Sequence, residues 1–116
     1  MMKIENASGK ISITDEVFTN LAGEAATACF GVKGMLACNK EGGPWQLLRR
    51  ESMSKGVAVK TDENGEVSLE LHIGVDNGVN LAAVGSSIMN EVSYKLKQTT
   101  GVAVRSVDVF IDAIID

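Results

Sequence analysis

The sequence predicts an α+β fold, a two-layer sandwich in which two helices lie on one face of a mixed or antiparallel sheet. Three observations predict it. Val67, Leu69, Leu71, Ile73 and Val75 alternate with Ser68, Glu70, His72, Gly74 and Asp76, the period of a strand with one buried and one wet face. Two other segments carry a single apolar stripe at helical spacing. The order of elements, β-α-β-β-β-α-β, lets both stripes cover the same side of one sheet. At 116 residues, with 45% hydrophobic and 22% charged residues, the chain is read as one domain, 1–116, large enough to fold without staples.

Lys10 to Thr14 alternates, with Ile11 and Ile13 on one side, as a short half-buried strand does. Thr14 and Asp15 then signal a helix start, because their oxygens can accept from first-turn amides, and Asp15 with Glu16 suits the positive end of the helix dipole. Val17, Leu21, Ala25 and Ala28, flanked by Phe18, Ala22, Ala26 and Cys29, form one wide apolar face. Its small side chains, with Gly23 among them, permit close approach to the sheet. Gly31 is the expected left-handed cap.

Val32 to Cys38 reads as a second strand, with Gly34 marking a bulge. Gly42-Gly43-Pro44 breaks the pattern, and Trp45 to Glu51 fits a short helix with Pro44 in its first turn, inside an ordered insertion running from Asn39 to Lys55. Val57 and Val59 open a strand that turns at Asn64-Gly65, a strong hairpin signal, into the segment starting at Val67. Asn80 is placed to cap a second helix with Leu81, Val84, Ile88, Val92 and Leu96 on its inner face and Gly101 as its stop. Val107, Val109, Ile111, Ala113 and Ile115 alternate with Asp108 and Asp112 as a closing strand.

Chemistry is sparse. A formal net charge of −4 disfavours general binding to nucleic acid, which depends on clustered Lys and Arg, and the wet faces offer only Phe110, Tyr94 and Trp45 for base stacking. Cys29 and Cys38 lack metal or redox spacing and read as buried thiols. The single histidine, His72, stands on the polar strand face without a nucleophile motif and reads as a solvated side chain. Gly85-Ser86-Ser87 lies in a helical pattern, not at a strand-to-helix elbow. Neither a phosphate-binding glycine loop nor ordered calcium-loop spacing occurs. The expectation is therefore no enzyme, no catalytic residue, no cofactor and no metal.

One charge feature points to a partner. Between Lys40 and Lys60 stand Lys40, Arg49, Arg50, Lys55 and Lys60 against Glu41 and Glu51, a basic stretch in an acidic chain. Trp45, Arg49 and Arg50 are the candidate partner-binding residues, since Trp and Arg are common interface anchors. The start Met1-Met2-Lys3-Ile4-Glu5-Asn6 has no apolar leader core, and no later run spans a bilayer, so a cytoplasmic location is expected unless a partner carries the protein to a membrane.

Several phrases in order resemble the bacterial alkaline shock protein family, also described as envelope stress response proteins. They are Gly9-Lys10-Ile11-Ser12-Ile13-Thr14-Asp15-Glu16-Val17, Gly31-Val32-Lys33-Gly34-Met35, Lys55-Gly56-Val57-Ala58-Val59, Ile73 to Asn80, and Thr100 to Val109. Leu47-Leu48-Arg49-Arg50-Glu51 looks like the short cytosolic branch of that family (the Gls-type proteins). The resemblance implies a non-enzymatic adaptor or scaffold linked to alkaline shock or envelope stress, working through a membrane-anchoring protein partner. It also implies an alternative, a small-ligand or lipid-binding accessory module for a fatty-acid-kinase-type enzyme. Homo-oligomerisation through an open closing strand is a further expectation.

Overall fold

The computed structural model describes residues 2–37, 46–47 and 56–115. In chain order the elements are β1 (Met2–Asn6), β2 (Gly9–Ile13), α1 (Asp15–Thr27), β3 (Val32–Ala37), β4 (Gln46–Leu47), β5 (Val57–Thr61), β6 (Val67–Asp76), α2 (Leu81–Thr100) and β7 (Val104–Ile115). The fold is α+β, as the sequence predicts. Two strands lie outside that prediction. Met2–Asn6 pairs antiparallel with Gly9–Ile13 as a separate hairpin, and Gln46–Leu47 pairs antiparallel with Leu36–Ala37. The expected helix from Trp45 to Glu51 is thus corrected at Gln46 and Leu47, which are strand; the rest of it lies outside the described residues. A backbone that pairs with β3 satisfies its polar groups there, whereas an isolated helix of about two turns is marginal in water.

β6 organises the main sheet. β5 pairs antiparallel with its first half and β3 with its second half, so the two share one edge. β7 runs parallel along the other edge from Val67 to Asp76. Parallel neighbours need a long crossover, and α2 supplies it. The sheet is therefore mixed, with β4 at one margin and β7 at the other.

The inner face of β6 is the centre of the core: Val67, Leu69, Leu71, Ile73 and Val75 are all essentially inaccessible. Each such side chain contributes about 1.5–3 kcal/mol relative to exposure. Phe18, Ala22 and Ala26 of α1 and Val84, Ile88, Val92 and Leu96 of α2 close over that face. α1 lies against β3 and β5, α2 lies against β7, and the two helices touch. Val17 and Leu81, placed on the apolar stripes by spacing alone, sit at the rim and each keep 41% of their surface exposed.

The ends of the elements follow local chemistry. Asn80 accepts from the Ala83 amide at 3.0 Å, and Gly101 adopts the left-handed conformation with φ 74°, donating to the Lys97 carbonyl at 2.9 Å. α1 starts at Asp15, where the sequence places its start, but its ends are made differently from the expectation. The Thr14 side chain makes no cap bond; its carbonyl instead accepts from the Val17 amide. The helix stops at Thr27, and Gly31 takes its positive φ in the turn that follows, against Val79 and Val84. The bulge expected at Gly34 is present as a register shift between Val32 and Gly34.

Candidate interaction surface

The outer face of the sheet carries the polar half of each alternating strand, and register dictates which groups meet. Glu70 lies beside Asp108, and His72 beside Phe110. Adjacent strands are about 4.8 Å apart and successive same-face rows about 6.6 Å, so these four side chains occupy one small patch. The His72 and Phe110 rings stack with centroids 4.9 Å apart at an interplanar angle of 14°. Phe110 keeps 42% of its surface exposed.

Asp112 joins this patch through a backbone irregularity. The register runs from Ile73 beside Ile111 to Gly74 beside Ala113, so Asp112 is the extra residue of a bulge. Its carboxylate meets His72 Nδ1 at 2.7 Å, with side-chain exposures of 16% and 19%. The sequence reading of His72 as a solvated side chain is therefore corrected: the ring is held between a carboxylate and an aromatic face. The bulge also overturns the single-faced alternation expected from Val107 to Ile115. Val107, Val109 and Ile111 face the helices, but Ile115 crosses to the outer side and lies over Gly74.

Glu70 and Asp108 have no ion-pair partner among the described residues, and neighbouring like charges in a sheet cost a few tenths of a kcal/mol. Lys60 lies one row away, beside Ser68, and Arg105 is engaged by Asp62 at 3.5 Å. Asp62 organises the hairpin turn between β5 and β6, accepting from the Glu66 and Asn64 amides at 2.9 Å each. Those donors, led by Glu66 and helped by Arg105, hold its carboxyl below the usual carboxylate range.

Two open grooves lie elsewhere. One, of 610 Å³, sits at the start of α2 between Phe30, Asp76, Val79, Ala83 and Val84, and there Asp76 pairs with Lys33 at 3.2 Å. The other, of 460 Å³, runs between β2 and the helix ends at Ile11, Val17 and Thr100. Neither groove, as lined, places a nucleophile beside a base. Cys29 is buried, as read from the sequence, and its thiol lies 3.5 Å from the Ala25 carbonyl. Cys38, Trp45, Arg49 and Arg50 lie outside the described residues. The His72–Phe110–Asp112 cluster is what sequence reasoning missed. The one available signal was the presence of His72, Phe110 and Asp112 on polar strand positions.

These features define a small α+β domain built on a β-α-β crossover, with the outer sheet face uncovered by either helix. The chain belongs to the alkaline shock protein family: the family model, described as having a cell envelope-related function, matches residues 3–115. It is 32% identical over 114 residues to YloU of Bacillus subtilis, spanning 97% of this chain and 94% of that protein. The same identity over the same length relates it to Spy1614 of Streptococcus pyogenes, spanning 97% and 93%. Among solved structures, MamM CTD variants align with a TM-score of 0.51 at 17% identity, covering 86% of this chain and 98% of theirs. That likeness concerns the fold alone. A copper form of MamM CTD aligns with a TM-score of 0.50. Among the described residues of this chain, no group of three or more His, Cys, Asp or Glu side chains is arranged to hold a metal ion, and no helix is long and apolar enough to cross a membrane.

Proposed function

We propose that the protein is a non-enzymatic adaptor or scaffold of the alkaline shock or envelope stress response, acting in the cytoplasm through contacts with other proteins. The observation that carries this reading is the outer sheet face, where Phe110 stays 42% exposed on a ring stack fixed from below by the Asp112–His72 contact. An exposed aromatic held rigid by its neighbours loses little conformational freedom on docking, which favours binding. Trp45, Arg49 and Arg50 are proposed as additional anchors, on the sequence argument above. A membrane-anchoring protein is the partner class that best fits the family's envelope-related function.

The test is affinity capture on the native chain and on Phe110→Ala, from membrane and soluble fractions separately, with mass spectrometry of stoichiometric partners. A membrane-fraction protein captured by the native chain and lost with Phe110→Ala supports the reading. Capture unchanged by that substitution removes the outer face from the interface, and no stoichiometric partner at all refutes the adaptor role.

The lipid-binding accessory reading draws on the groove at the start of α2, whose floor includes Val79, Ala83 and Val84. Selective binding of acyl ligands to the folded state raises the apparent melting temperature, so a panel of such ligands tests it.

A further inference from the structure

We propose that two copies of this chain pair antiparallel through the free edge of β7, about a two-fold axis at Val109, joining their main sheets into one. The inference goes beyond the adaptor reading: it uses the edge of the sheet and not its outer face, although Phe110 stands in both.

β7 is a margin of the main sheet, and among the described residues it pairs only with β6. At 12 residues it is about twice the usual strand length, and so long an edge is a template for a further strand. Two irregularities limit the usable part. The register passes over Arg105 between Val104 and Ser106, and over Asp112 between Ile111 and Ala113, and each bulge bends the strand and interrupts a ladder. Residues 106–111 between them are regular, and Asp108 is their sole charge. On the inner side α2 lies against β7 but leaves Val109 and Ile111 only partly buried against the core. On the outer side Phe110 keeps 42% of its surface exposed. A neighbouring strand would add cover to all three.

A second copy fits this edge because charge selects one of its own registers. Antiparallel strands related by a two-fold axis in one sheet must be centred on a residue, since side chains opposite one another share a face. Within residues 106–111, centring on Asp108 or on Val109 gives the longest overlap, five residues either way. Centring on Asp108 sets its carboxylate against its own counterpart, which repels. Centring on Val109 sets Val109 against itself, Val107 against Ile111, and Asp108 against Phe110, so no like charges meet. Val107, Val109 and Ile111 of both copies then form one apolar row on the helix side of the joined sheet. Five residues a side, against roughly 20–30 in a standard interface, make a weak dimer governed by concentration.

Sedimentation velocity of the full chain from micromolar to millimolar concentration reads the association, and a monomer–dimer equilibrium is expected. Phe110→Glu places a carboxylate opposite Asp108 at two symmetric positions and should weaken the dimer roughly tenfold or more. Adding Asp108→Arg in the same chain sets Arg opposite Glu at both positions and should recover the association, whereas a register centred on Asp108 would set Arg against Arg. Circular dichroism checks that both variants keep the native fold. Hydrogen exchange of the native chain at the two ends of the concentration series needs no variant: the added protection should fall on amides of residues 107–111. A monomer at every concentration overturns the proposal, as does protection gained only elsewhere, or a loss in Phe110→Glu that Asp108→Arg does not recover. A monomer that still captures a membrane-fraction protein through Phe110 removes this inference and leaves the adaptor reading standing; a dimer that captures no other protein does the reverse.

Discussion

Replacing glycine by alanine at two positions packed against the main sheet tests how the packing there is held. A Cβ at Gly56 would lie 2.9 Å from the Leu36 carbonyl oxygen, 3.1 Å from the Met35 Cβ and 3.3 Å from the His72 carbonyl oxygen. Two of those atoms belong to the backbones of β3 and β6, and they can retreat only if the strands separate. A Cβ at Gly74 would lie closer still, 2.6 Å from the Ile115 Cδ1, but that atom is the end of a flexible side chain. Overpacking against fixed atoms costs about 1–3 kcal/mol, whereas alanine in place of glycine returns about 0.4–1 kcal/mol by restricting the unfolded chain. Gly56→Ala is therefore expected to lose about 2 kcal/mol, and Gly74→Ala less than about 1 kcal/mol. Adding Ile115→Val removes the obstructing methyl, so the Gly74→Ala and Ile115→Val pair should couple favourably by about 0.5 kcal/mol in a double-mutant cycle. Urea denaturation of the full chain, with equal m-values across the set, measures all of this. The reasoning fails if Gly74→Ala costs as much as Gly56→Ala, or if Ile115→Val leaves its cost unchanged.

Removing the carboxylate with Asp112→Ala is expected to destabilise the fold by about 1–3 kcal/mol, because half-buried His72 loses its 2.7 Å partner, while Asp112→Asn keeps an acceptor and costs less; chemical denaturation separates the two. Asn80→Ala removes the cap on Ala83 and should cost about 1 kcal/mol, read as a lower melting temperature. The carboxyl of Asp62 is lowered in the folded state, so its contribution is present above the ordinary carboxylate value and disappears as pH falls through the folded value. Asp62→Asn should accordingly flatten the acid side of a stability-versus-pH curve, and an unchanged acid limb would count against the turn geometry.

Elements whose signals are local were legible in the sequence. β6 declares itself through five inward apolar residues, and α2 through Asn80, its stripe and Gly101, because each signal spans a few neighbouring positions. The hairpin at Asn64-Gly65 follows from the same kind of local chemistry, with Asp62 added as its organiser. What escaped depends on distant pairing. β1 has too few alternating residues to stand out, and it becomes a strand only through β2. The bulge at Asp112 is masked because Ala113, Ile114 and Ile115 are apolar at both parities, so no alternation remains to show the flip. His72 was read as solvated because Asp112, its partner, stands 40 positions away, and only the parallel register of β6 and β7 brings them together.

That parallel register also sets a timetable for synthesis. β3 and β5 precede β6 in the chain, so the antiparallel half of the sheet can assemble as soon as β6 leaves the ribosome. The partner on the other edge comes after the twenty residues of α2, and Val67 and Val104, which begin the pairing, are separated by roughly forty residues of translation. At roughly 5–20 residues per second, the strand whose inner face ends fully buried spends several seconds with one edge unpaired and that face only half covered. During that interval the nascent chain presents an aggregation-prone surface that the finished protein never shows, and demand for chaperones should be concentrated there.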